Sequence, residues 1–99
     1  DLRRRWETQY NLALIAMKRG NITDALERFR SADTLLSGSP EAAVRNAELA
    51  EIRVKTAWIL FLDGEYDAAS RELRYALDLD PENLEGQLLR KQLEAELER

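Results

Sequence analysis

The chain repeats itself. Gly20 and Gly64 stand 44 residues apart, and at the same offset Ala13 matches Ala57, Ala25 matches Ala69, Phe29 matches Leu73 and Ala32 matches Ala76. A period of roughly 20–50 residues marks stacked supersecondary units, each of which buries its apolar face only against a neighbour. The matches fall on both sides of each glycine, so each unit holds two elements joined at a glycine turn.

Those elements read as helices. Trp6, Tyr10, Leu14 and Met17 recur at three- and four-residue steps, with Leu12 and Ile15 widening the face, which predicts a first helix over about 2–19. Lys18 and Arg19 suit the carbonyl end of that helix, and Gly20 tolerates the left-handed turn that closes it. Ala25, Leu26, Phe29, Ala32 and Leu36 make the stripe of a second helix over about 22–36, with Asp24 and Arg28 spaced to pair outside. Ser39-Pro40-Glu41 reads as a helix start, since serine caps free amides and proline needs no donor at the first helical position. Asp80-Pro81-Glu82 repeats that signature one unit on.

The third helix is expected to run unbroken from about Pro40 to Leu62 with two apolar stripes. Ala43, Val44, Ala47, Val54, Trp58, Phe61 and Leu62 form one; Leu49, Ile52, Ile59 and Leu60 form the other. A helix apolar on two sides belongs in the middle of a packed array. A fourth is predicted over Tyr66 to Leu79. A fifth is predicted from Pro81 to about Glu98, with Leu84, Leu88, Leu89, Leu93 and Leu97 assigned to one face.

Within the second unit, GEYDAASRELRYALDLDPEN places Gly64 and Tyr66 at the turn, Ala69, Leu73 and Ala76 down the following helix, and Leu79-Asp80-Pro81 at the exit. This order resembles the second half of a tetratricopeptide repeat, a helix–turn–helix unit of about 34 residues. The resemblance implies an all-α, right-handed array of helical hairpins, an alpha-alpha superhelix. Here it would be a single domain: repeat one at about 2–37, repeat two at about 40–80, and a capping helix at about 81–98. The period is about ten residues longer than the family's; the excess is assigned to the connection between Leu36 and Ile52 and to a longer third helix. Arg53 and Thr56 also stand where the family prefers large apolar residues. Lys91 falls near the register at which a further repeat would want a small residue, so the fifth helix reads as a polar-backed cap.

Composition closes several routes. With 44% hydrophobic and 34% charged residues, two prolines and four glycines, the chain is neither disordered nor built of many short strands. It has no apolar run of the roughly 18 residues that would cross a bilayer, so no membrane insertion is expected. The net charge is −4. Residues 1–50 carry eight basic and seven acidic groups, and residues 51–99 carry seven and twelve. An acidic chain without a basic stripe is a poor ligand for nucleic acid. Its one basic cluster, Arg3-Arg4-Arg5, reads as a solvated helix start, with a contact to an acidic partner as the alternative. Opening on Asp1, the chain reads as a soluble processed product or excised piece, cytoplasmic or exported. The redox compartment is unreadable without cysteine.

No chemistry is legible. Histidine and cysteine are absent, and with them the commonest general base, the thiol nucleophile and the usual zinc ligands. Asp63-Gly64-Glu65-Tyr66-Asp67 lacks the ligand spacing and terminal glutamate of a calcium loop. The expectation is no enzyme, no metal and no cofactor.

In tetratricopeptide domains the first helix of each unit lines a groove that holds a peptide or a partner's helix. The resemblance therefore implies Tyr10, Leu14 and Met17 from the first helix, and Val54, Trp58, Phe61 and Leu62 from the third, as partner-binding residues in an apolar groove. Of the lysine–asparagine clamp that some members use for a C-terminal carboxylate, only Asn11 and Lys55 are suggestive, which argues against a chaperone-tail ligand. The expected function is a protein-binding adaptor or scaffold. The alternatives are a structural or self-association module using the same face as a homodimer contact, or a stripe covered by the chain's own fifth helix.

Overall fold

The glycine turns govern the architecture. The computed structural model describes residues 5–99, and in them Gly20 and Gly64 are the two glycines with positive φ, +75° and +81°. Each closes a helix in the same way. The Gly20 and Asn21 amides donate to the Met17 and Ala16 carbonyls at 3.0 and 2.9 Å, and the Gly64 and Glu65 amides to Phe61 and Leu60 at 3.0 and 2.8 Å. These bonds satisfy carbonyls that a helix end leaves without partners, and they turn the chain back on itself.

Five α-helices result: α1 (Trp6–Lys18), α2 (Ile22–Ser37), α3 (Asn46–Leu62), α4 (Tyr66–Leu79) and α5 (Leu84–Leu97). The described residues contain no strand. α1 packs on α2 and α3 on α4 as hairpins; α2 joins the hairpins through α3, and α5 lies on α4 and on α3. Principal extents of 46 × 29 × 18 Å fit helices laid side by side in an array. No helix among the described residues is long and apolar enough to cross a membrane.

The residues paired at the 44-residue offset form the core. Ala13, Ala25, Phe29, Ala32, Ala57, Ala69 and Ala76 are fully buried, and Leu73 is buried. As its two stripes require, α3 serves two clusters. Leu49, Ile52 and Ile59 join α1 and α2, while Val54 and Ala57 join α4 and α5; Leu60, read from sequence as part of the Leu49 stripe, falls instead with Val54.

Three boundaries depart from the sequence reading. Arg5 is extended, and α1 begins at Trp6; Arg3 and Arg4 of the basic cluster lie outside the described residues. The third helix does not start at Pro40. A 3₁₀ turn over Ala42–Val44 comes first, and Arg45 (φ −118°, ψ 35°) interrupts the path before Asn46. Ala43, Val44 and Ala47, assigned to a buried stripe, are exposed. Among the described residues nothing covers Ala43 and Val44, so burial does not offset the cost of extending the helix through them. The extra length sits in the connection and in α3, which has 17 residues against the 13 of α1.

The fifth helix begins at Leu84, capped by Asn83, whose Oδ1 accepts from the Gly86 amide at 2.8 Å. Its leucines do not share a face. At about 100° per residue, Leu89 and Leu93 lie roughly 140–180° round from Leu84. Leu89 and Leu93 are buried, whereas Leu84, Leu88 and Leu97 are exposed. The outer side of α5 is thus partly apolar, not polar-backed. Its close approach is made at Gly86 and not near Lys91. A Cβ on Gly86 would stand 3.0 Å from Leu77 Cδ2 and 3.2 Å from Val54 Cγ2.

Two polar residues of α3, Arg53 and Thr56, have local reasons for their positions. Thr56 is buried with its hydroxyl donating to the Ile52 carbonyl at 2.9 Å. Arg53 reaches Asp33 of α2 at 3.2 Å and Glu72 of α4 at 3.5 Å, and lies 5.4 Å from the centre of the Tyr75 ring. One guanidinium clamps three helices.

Candidate functional site

The residues singled out from sequence lie on α1 and α3, and the structure sorts them into four sets. Tyr10, Leu14 and Met17 are half-buried against the first core cluster. Tyr10 sits edge-on to Trp6 at 6.4 Å and to Phe29 at 5.7 Å. Trp58 and Phe61 are half-buried, edge-on at 5.8 Å, and Phe61 continues to Tyr66 at 5.5 Å. Val54 is fully buried beside Gly86, so it forms floor and not surface, and Leu62 stands apart, 63% exposed.

A polar chain crosses this face where an apolar groove is expected. Tyr10 donates its phenolic hydrogen to Glu51 Oε2 at 3.2 Å. Glu51 also accepts from Asn83 Nδ2 at 3.3 Å and lies 3.6 Å from Lys55 Nζ. Lys55 in turn bonds Glu85 at 2.7 Å. Residues from α1, α3, the turn before α5 and α5 itself are joined. Lys55, half of the suggestive clamp pair, is thus already held by two carboxylates.

The electrostatics follow from that placement. Tyr10 is held above its ordinary pKa, first by burial, then by the negative charge of Glu51, its hydrogen bond to that carboxylate, and the charge of Glu85. Beside it, α1 and α3 border an open cleft of about 400 Å³, lined by Trp6, Glu7, Tyr10, Asn11, Ala47, Glu48 and Glu51. The sequence reading assigned no site role to Trp6, Glu7, Glu48 or Glu51. The signal available was that Glu7 and Glu51 share the 44-residue register on equivalent helices.

No group of three or more acids, histidines or cysteines among the described residues is placed to hold a metal ion. What the face offers is hydrogen bonding, charge and aromatic surface. The chain matches no protein-family model and no curated protein in sequence.

Proposed function

We propose that this chain is a tetratricopeptide-like scaffold module that binds an extended peptide or a helix of a protein partner along the face of α1 and α3. The observation that carries the reading is the repeated hairpin: two left-handed glycine turns 44 residues apart with matching capping bonds. That repetition sets Tyr10, Leu14 and Met17 in register with Val54, Trp58 and Phe61. Trp58 supports the reading further. It is half-buried, and its indole Nε1 is buried with no hydrogen-bond partner. Large aromatics of this kind dominate many binding surfaces.

The test is titration of the ¹⁵N-labelled chain with pools of neutral decapeptides, read by amide and indole shifts. Shifts confined to α1 and α3, with Trp58→Ala weakening binding by about 2 kcal/mol or thirtyfold while helix content persists, support the proposal. Shifts confined to α2 and α4 overturn it.

A second reading has its own observation. Leu84 and Leu88, one turn apart on α5, are 79% and 52% exposed, which favours self-association through α5 instead of the α1–α3 face. An apparent mass that rises with concentration, and ceases to rise in Leu84→Ser/Leu88→Ser, decides for it.

A further inference from the structure

We infer that the cleft between α1 and α3 is a receptor for one cationic side chain, arginine or lysine, of a bound peptide. The inference rests on the reading of this face as peptide-binding and specifies what the peptide must carry.

Shape comes first. A cleft of about 400 Å³ is in the range of small-ligand sites, roughly 300–1,000 Å³. It lies beside the polar chain of Glu51, Lys55 and Glu85, so its occupant is a side chain entering from the face and not a whole helix.

Charge is the second ground. Glu7, Glu48, Glu51 and Glu85 lie in or beside the cleft, opposed by Lys55 and by Arg45, which lies 3.8 Å from Glu48 Oε1. Among the described residues, four carboxylates thus stand against three cations, since Arg5 lies beside Trp6 and Glu7. The other Glu48 oxygen, Oε2, is buried and has no hydrogen-bond partner. An acceptor removed from water without a donor is costly, and an incoming N–H that meets it recovers that cost. Tyr10 is held above its ordinary pKa by burial first, and then by the charge and hydrogen bond of Glu51 and the charge of Glu85.

The aromatic wall is the third ground. Trp6 and Tyr10 sit edge-on to each other at 6.4 Å, and both line the cleft. A guanidinium or ammonium is attracted to such ring faces, and its methylene stem packs on them. The carboxylates are not gathered as a metal site, and this suits a cation on a long stem better than a bare ion. An acidic anchor would meet only like charge there, and a neutral donor would satisfy the Glu48 oxygen without answering the surplus of carboxylates.

The test uses the whole chain and two decapeptide pools, neutral and randomised except for a central arginine in one and a central citrulline in the other. Citrulline keeps the size of arginine and removes its charge. The Trp6 indole resonance, assigned with Trp58→Phe, is the readout. The expected result is a saturable Trp6 shift with the arginine pool at about tenfold higher affinity than with the citrulline pool. Glu48→Gln should bring the arginine pool down toward the citrulline level and change the citrulline pool, whose ureido donors are uncharged, much less. Should Glu48→Gln lose helix content, the exposed Glu7→Gln serves, with a smaller loss in the same direction. Equal affinity for both pools at α1 and α3 overturns the cationic receptor and leaves the peptide-binding reading standing. Shifts with neither pool anywhere on that face overturn both.

Discussion

Tyr10 donates to Glu51 at 3.2 Å across 41 positions of sequence, a direct polar tie between α1 and α3. Because the phenol must keep its proton to donate, the tie depends on pH. Burial and the neighbouring carboxylates raise the Tyr10 pKa above its ordinary value of about 10, so the folded state holds this proton more tightly than the unfolded chain. Its contribution is therefore complete below about pH 10 and is lost as pH climbs from there through the folded-state value. Tyr10→Phe should cost about 1 kcal/mol at neutral pH. The difference in melting temperature between the two proteins should narrow above pH 10. A difference that stays constant or widens there would refute the tie.

Arg53 between Asp33 and Glu72 offers a second measurement. The three side chains are each about a quarter exposed, so each pair alone is worth little, and the value lies in the network and the Tyr75 contact. Arg53→Met should lower stability by about 1–2 kcal/mol, because it strands two carboxylates between helices. In a chain already carrying Asp33→Asn and Glu72→Gln, the same change should cost less, since only the Tyr75 contact is then lost. Chemical denaturation of the four proteins closes this cycle.

Gly86 separates helix propensity from packing. Alanine gains about 1 kcal/mol over glycine inside a helix. Its Cβ would press on the flexible tip of Leu77 at 3.0 Å and on the stiffer Val54 at 3.2 Å. Gly86→Ala should therefore leave stability within about 1 kcal/mol of the parent. Gly86→Leu should cost roughly 1–3 kcal/mol or more by forcing α5 away from α3. A leucine variant with an unchanged melting temperature would show that α5 does not dock as described.

Removal of α5 tests the array itself. Leu89 and Leu93 are buried, and α5 brings Gly86 against Val54. Two buried leucines contribute about 1.5–3 kcal/mol each, against a domain stability of about 5–15 kcal/mol. A chain ending at Asn83 should melt with low cooperativity or aggregate on calorimetry. A cooperative transition at the parent temperature would make α5 an appendage.

What the sequence determined by itself was local. Helix periodicity, the turns at Gly20 and Gly64 and the small residues at Ala13 and Ala57 follow from a few neighbouring residues, because backbone conformation and amphipathic spacing are short-range properties. The span of α4 was legible for the same reason, bounded by a glycine turn before it and a proline after it. Even the two-sided character of α3 could be read, since a helix apolar on two faces needs neighbours on both. Tertiary structure decided the rest. Whether Ala43 and Val44 continue a helix depends on whether anything covers them, and no described residue does. Which α5 leucines are buried depends on the angle at which Gly86 lets that helix settle on Val54 and Leu77. The polar chain through Tyr10, Glu51, Lys55 and Glu85, and the Arg53 clamp, join residues 19 to 41 positions apart together with nearer ones. No periodicity encodes such meetings. They exist because packed alanines set the distance between helices, and charged side chains then find the partners that distance allows.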